Sequence, residues 1–488
     1  MGNWVAELEP KRLFEHFARL LRVPRPSGKE EAAREYVREV AARRGLPVRQ
    51  DAAGNLVVEV AATRGLEHAP WVALQAHLDM VCEKDSGTDF DFEREAIRPV
   101  RDGAWLRAKG TTLGADNGIG VSAMLAIAAD PEAVHGPLEL LFTVEEETGL
   151  LGALRLDPAL LRARTLLNLD SEEEGAIYIG CAGGAGTFGE VPLDWMYGAE
   201  GRRSWVVSVK GLAGGHSGLD IHLGRGNAIS LLARVLWTAL EEHQFELVEF
   251  QGGNLHNAIP REAWVRIRVA RGDEEALFEE IRTEESAIRE ELAGVDDGFQ
   301  IEIREETALP NEQVWTEETT WRVLPLLVGL PHGVLAMSRD LPGLVETSTN
   351  LAKVRVEDEQ LEIHQSSRSS LESALRATQR RVEALIRLAG GVAVSSEGYP
   401  GWKPDLKSPL LARLQEVYRG LFEREAELKA VHAGLECGVL KNRVVGLDCA
   451  SIGPRIEYPH SPREGVEIAS VDKFYRFLTA SLERLAQA

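Results

Sequence analysis

The stretch Leu74-Gln-Ala-His-Leu-Asp-Met-Val81 reads as the end of a buried strand that delivers a histidine and an aspartate together. Side chains alternate along a strand, so His77 and Asp79 share one face while Leu78 and Met80 take the other. A neutral imidazole binds a cation through one ring nitrogen while a carboxylate holds the second. Alone, His-x-Asp reads first as a strand end entering a polar loop, and the rest of the chain has to decide.

Working outward, strand-like period-two runs cover 48–51, 56–61, 71–81, 137–144 and 165–169, and helical patterns cover 11–21, 29–44 and the stretch that follows Asp116, its N-cap, to about Ala129. Strands alternating with helices predict an α/β fold: a mixed central sheet, largely parallel, flanked by helices. Three of these strands end on a histidine or on acids: His77, then Glu145-Glu-Glu-Thr-Gly149, then Asp170-Ser-Glu-Glu-Glu-Gly175. In open α/β sheets ligands gather just beyond the carboxyl ends of the strands, where these residues would converge. The run Glu172 to Glu174 reads as a solvated face.

With 488 residues the chain exceeds what one core usually serves. The expected division is 1–185 as the first part of a catalytic domain, 186–398 as an inserted α+β lid and 399–488 as the return to the first domain. Cys181-Ala-Gly-Gly-Ala-Gly186 reads as a hinge, since no G-x-G-x-x-G stands between a strand and a helix. The length of the insert suggests two small sheet-and-helix modules. A formal charge of −22 repels phosphate backbones and anionic lipid, excluding nucleic acid and membrane surfaces as partners. The N-terminus carries no basic start followed by an apolar core, so no secretory leader is read and a cytoplasmic protein is expected. Four scattered cysteines without C-x-x-C spacing point to small buried residues rather than disulfides or a thiolate metal site.

Taken singly, Asp116 is a helix cap, Glu146 and Glu147 a loop pair, Asp170 a turn residue and His460 a surface histidine between prolines. Their order is more specific: His-x-Asp, Asp-Asn-Gly, Glu-Glu-x-Gly, Asp-Ser-Glu and Pro-His-Ser-Pro. With Thr112-Leu-Gly-Ala-Asp-Asn-Gly118, Asn168-Leu-Asp-Ser-Glu-Glu-Glu-Gly175 and His432-Ala-Gly-Leu-Glu-Cys-Gly438, this order resembles the di-zinc metallopeptidase superfamily of aminoacylases, carboxypeptidases and dipeptidases. Within it the chain looks most like the aminoacyl-histidine dipeptidases.

That resemblance implies two zinc ions per subunit, with cobalt or manganese as substitutes. Asp116 would bridge them; one would also hold His77 and Asp170, the other Glu147 and His460. Asp79 would orient His77, and Glu146 would be the general base. Two zinc ions bring +4 and three ligand carboxylates −3, so a bridging hydroxide would make the core neutral. The lid would contribute His216, which steadies the oxyanion, often across a dimer interface, and Asn257 and Arg368, which hold the substrate's carboxylate. A guanidinium fork suits a carboxylate bidentately, although Arg368 alone reads equally as paired with a surface acid. The implied activity is hydrolysis of unblocked dipeptides, Xaa-His and carnosine-like ones among them, by a homodimer paired through the lid. N-acyl amino acid deacylation, tripeptide cleavage and a silent metal-binding relative are the alternatives. Ala76 and Glu145 depart from the glycine and aspartate frequent in such relatives, and neither departure removes a ligand.

Overall fold

Short, mostly apolar strands lie at the heart of the fold, because a strand covered on both faces has no solvent side to make polar. The computed structural model describes residues 5–307, 309 and 311–487; the start of the N-terminal stretch examined for a leader, residues 1–4, lies outside them. The chain divides into two compact units, one of residues 1–181, 402–430 and 435–488, the other of residues 182–401 and 431–434.

The first unit is built on an eight-stranded sheet in the order Val48–Gln50, Leu56–Val60, Leu138–Thr143, Val72–His77, Thr165–Asn168, Asp448–Ser451, Ala176–Cys181, Glu427–Val431. The four central strands are parallel to one another, and the Leu56–Val60 strand pairs antiparallel with Leu138–Thr143. Val72–His77 and Leu138–Thr143 are buried at every position. The helix Ala115–Ala129 is likewise buried nearly all round. A second, four-stranded sheet joins Pro99–Asp102, Trp105–Ala108, Gly465–Glu467 and Ile456–Glu457.

The other unit carries a nine-stranded antiparallel sheet, from Gln300–Glu306 at one edge to Val392–Ser395 at the other. Helices Ala228–Glu242, Glu274–Glu291, Glu317–Gly329 and Glu372–Leu388 accompany it. Their apolar residues, among them Leu232, Ile281, Val323 and Ile386, join Val207, Ile267 and Ile363 of the sheet in one core.

Several expectations are corrected. The insert is one continuous sheet, not two modules, because the long strands Val345–Glu357 and Gln360–Ser369 stitch both parts together. The glycine run read as a hinge is the strand Gly183–Pro192; its glycines face close neighbours, and a Cβ at Gly183 would lie 2.5 Å from the Gly401 nitrogen. The segment 432–438, which reads as a loop in sequence, runs into a helix, Glu436–Arg443. The strand that opens the chain's reading stops at His77, so Asp79 lies just past it. Asp116 does not cap its helix: Gly114 stands at the N-cap, and Asp116 lies inside the first turn with extended dihedrals. Cys181, Cys437 and Cys449 are buried and free, and Cys82 is half-buried and free.

Candidate metal centre

The parallel strands end together. Leu78 donates its amide to the Thr143 carbonyl (2.8 Å) and Leu169 to that of Gln75 (2.9 Å), so the residues that leave the sheet as His77, Glu145–Glu147 and Asp170 come out side by side.

At their centre is Asp116. Its Oδ1 lies 3.0 Å from His77 Nε2 and its Oδ2 3.1 Å from His460 Nε2. His77 Nε2 also faces Asp170 Oδ1 at 3.2 Å, and His460 Nε2 faces Glu147 Oε2 at 3.1 Å. Two donor groups therefore meet at one carboxylate: His77, Asp116 and Asp170, and Asp116, Glu147 and His460. His77, Glu146 and Glu147 form a third group of the same compactness, so distance alone leaves Glu146 within reach of an ion.

Asp79, fully buried, supports this arrangement twice. Its backbone carbonyl lies 3.2 Å and its Oδ1 3.4 Å from His77 Nδ1. Its carboxylate also accepts the amides of Glu146 and Glu147, each at 3.1 Å, and the Ser27 hydroxyl at 2.7 Å. Asn117 donates to Asp170 Oδ1 and to the Leu169 carbonyl.

The donor set fits bound cations. Glu147 Oε1 is buried without a hydrogen-bond partner, a costly condition for a carboxylate oxygen unless something positive faces it. Burial would lower both histidines, but the acids overcome it: Asp170, Asp116 and Asp79 hold His77 well above the ordinary range, and Asp116 and Glu147 lift His460 to about 11. Burial, with neighbouring negative charge, raises Asp170 to about 6, Glu172 to about 9 and Glu146 well above its usual range. Without a cation, this cluster must take up protons instead. Ligands that bind metals give up such protons.

The second unit gathers its own cluster. His216 sits on the short strand Gly215–His216, paired with Ala258–Ile259, beside Asn257, whose carbonyl accepts the Ser217 amide at 2.8 Å. His216 Nδ1 accepts the amides of Gly218 (3.2 Å) and Leu219 (3.0 Å), which places the ring proton on Nε2. Burial and then Arg368 lower this imidazole to about 4. Arg368 donates from Nη1 to the Tyr399 hydroxyl (2.9 Å), and its Nε is buried without a partner. A Cβ on Gly218 would lie 3.1 Å from Arg368 Nε, 3.1 Å from His216 Cε1 and 2.4 Å from the His432 carbonyl oxygen. Arg368, His216 and His432 thus meet around a residue with no side chain.

Sequence reasoning assigned no role to His432, whose Nε2 faces the Ser348 hydroxyl at 2.7 Å, nor to buried Arg25, Glu436 and Glu464. Their signals were an arginine between two prolines, an acid inside the stretch 432–438 and an acid four residues after His460. The acid run Glu172–Glu174 is not a solvated face: Glu172 is enclosed near Asp116 and Asp170, Glu173 takes Lys429 and Tyr178, and Glu174 takes Arg424 and Tyr418.

A family model for peptidase family M20/M25/M40 matches residues 73–484. The chain is 40% identical over 481 residues to the cytosol non-specific dipeptidase of Escherichia coli (strain K12), a match covering 99% of each. The crystal structure of aminoacylhistidine dipeptidase from Vibrio alginolyticus superposes with a TM-score of 0.90 at 39% identity, covering 98% of this chain and 97% of that one. A tripeptidase from Staphylococcus aureus, at 17% identity and a TM-score of 0.58 over 99% of this chain and 100% of that one, shares the fold.

Proposed function

The chain belongs to peptidase family M20/M25/M40, and from that premise we propose that it is a cytoplasmic, zinc-dependent dipeptidase acting on unblocked dipeptides, Xaa-His among them. The observation that carries the reading is Asp116, whose two oxygens face two different histidines, each accompanied by a further carboxylate.

Asp116 would bridge two zinc ions, with His77 and Asp170 on one and Glu147 and His460 on the other. Bound there, the ions would polarise the scissile carbonyl and bring the pKa of a water down to about 7. Glu146, beside them but assigned to neither, would take the proton from the attacking water on its carboxylate and pass it to the leaving amine nitrogen. Asp79 keeps His77 in orientation and holds the backbone of both glutamates. His216, neutral with its proton on Nε2, is suited to donate to the developing oxyanion. Arg368, with Asn257, would take the substrate's C-terminal carboxylate and so measure where a dipeptide ends.

A homodimer through the second unit is part of the proposal. Phe188, Val392 and Val394 are exposed on or beside the short edge strand Val392–Ser395, and neighbouring exposed apolar side chains mark a surface suited to a partner. Free cysteines, the charge of −22 and the E. coli relative's name support the cytoplasm.

The test is hydrolysis of Ala-Ala, Gly-His, β-Ala-His, acetyl-Ala and Ala-Ala-Ala before and after chelation, with zinc then restored. Dipeptide cleavage that disappears on chelation and returns with zinc is expected. Cleavage confined to acetyl-Ala or to the tripeptide would overturn the dipeptidase reading.

A further inference from the structure

We propose that Glu464 is a positioning residue for Asp116: from the loop that carries His460 it fixes the backbone from which the shared carboxylate reaches both histidines. The inference rests on the two-ion reading above. Glu464 is 2% exposed, and both of its oxygens are turned to backbone amides. Oε2 accepts those of Leu113 (2.7 Å) and Gly114 (2.9 Å); Oε1 accepts those of Ala115 (2.7 Å) and Asp116 (3.3 Å). These amides lead into the first turn of Ala115–Ala129, where no helix carbonyl can take them up and where negative charge is favoured by the helix dipole. An ordinary Ser or Asn cap satisfies one or two such donors. A buried carboxylate that engages four in succession leaves the loop one arrangement.

The same loop is gripped from its other side. Arg25, 1% exposed, donates from Nη2 to the Gly114 carbonyl (2.5 Å) and from Nη1 to the carbonyls of Leu78 (2.9 Å) and Asp79 (2.8 Å). Gly114 fits between the two because it has a φ of 73° and no side chain; a Cβ there would lie 2.5 Å from Arg25 Nη2. The segments 77–79, 113–116 and 460–464 are thereby tied together beneath the donor groups. A shift of Glu464 displaces Asp116 and His460 relative to each other.

The experiment is zinc binding by chelator competition, with thermal melts of the chelated protein, for the wild type, E464Q, E464D and R463A. E464Q turns an amide NH₂ toward two N–H donors. It is expected to weaken the ion of Glu147 and His460 by about 10- to 100-fold, in the range seen when groups supporting a ligand are removed, with a smaller loss at the ion of His77 and Asp170. E464D keeps the charge and both oxygens but withdraws them, and should fall between E464Q and the wild type. R463A changes the exposed neighbour and should bind both ions as the wild type does. A purely structural Glu464 would lower the melting temperature and leave both affinities alone, and that result overturns the proposal. Should E464Q not fold, folded E464D decides in the same way. A wild type that takes up fewer than two zinc ions defeats the two-ion reading and this inference with it, whereas two ions in the wild type with unchanged variants defeats this inference alone.

Discussion

Glu146 and Glu147 leave one strand end as neighbours, their amides held by the two oxygens of Asp79, yet their surroundings differ. Glu147 pairs with His460 and keeps one oxygen unpartnered, as a ligand awaiting a cation would. Glu146 is buried among negative charge without such a histidine pair. Glu146→Gln should therefore lower kcat by about 10²- to 10⁴-fold, the range for loss of a general base, while metal analysis still finds two zinc ions. Glu147→Gln should lose zinc. Equal zinc loss in both would make Glu146 a ligand, a role its distances permit. Arg368→Ala should raise KM for dipeptides far more than for their C-terminal amides; equal effects would remove Arg368 as the carboxylate anchor. At this scale the residues that the structure gathers around Asp116 were legible, because His, Asp and Glu at successive strand ends have few structural uses together. Arg25, Glu436 and Glu464 were not, since charged residues are read as surface unless partners are known, and their partners are mostly backbone atoms and neutral side chains far away in sequence.

The element that decides the second cluster is the loop after Lys210, where Gly218 stands between His216, Arg368 and the His432 backbone. Gly218→Ala would insert a methyl group 2.4 Å from a carbonyl oxygen that cannot yield as a flexible side chain can. The loop, and His216 with it, must then shift. Misplacing a positioned group by about 1 Å can cost on the order of 100-fold in rate, so kcat/KM should fall by about 10- to 100-fold while zinc content stays at the wild-type level. Unchanged kinetics would show that the loop absorbs the methyl group and that His216 is not held from this side. Periodicity found most strands and helices, including 56–61 and 11–21, because each is a regular run that packs on a core. It missed Gly183–Pro192, whose glycines make way for close backbone neighbours, and Glu317–Gly329, interrupted by Pro325. It also missed Asp448–Ser451, a four-residue strand too short for a period yet central to the sheet.

At the scale of the whole molecule, that late strand marks the step of the two-unit organisation that periodicity could not read. The chain leaves the first unit at Cys181, builds a complete second sheet and returns to place Asp448–Ser451 between strands laid down long before it. Length announced two cores, and the return of helix and strand patterns after residue 398 announced which segments share the first; the strand that joins the sheet there was too short to read. The units also differ in how protons act on them. In the first unit His460 is lifted to about 11, Glu172 to about 9 and Glu436, chiefly by burial, to about 8. Each binds its proton more tightly folded than unfolded, so its contribution is full below the unfolded pKa and is lost as pH rises through the folded one. In the second unit burial lowers His216 and His332 to about 4 and His432 to about 3. Those imidazoles contribute stability above about 6.5, which is lost as pH falls toward their folded values. In the chelated protein the acid and histidine cluster around Asp116 should accordingly lose stability as pH rises between about pH 7 and 10, while the second unit's imidazoles lose theirs as pH falls below about 6.5. On the proposed two-ion reading, zinc would replace the protons that cluster otherwise needs, so zinc should flatten the alkaline limb and leave the acid limb of the second unit in place. The measurement is a pair of melting-temperature profiles, chelated and zinc-loaded, across that range. A zinc-induced gain in melting temperature that does not grow between pH 7 and 9 would mean that the acids around Asp116 are not the groups the ions neutralise.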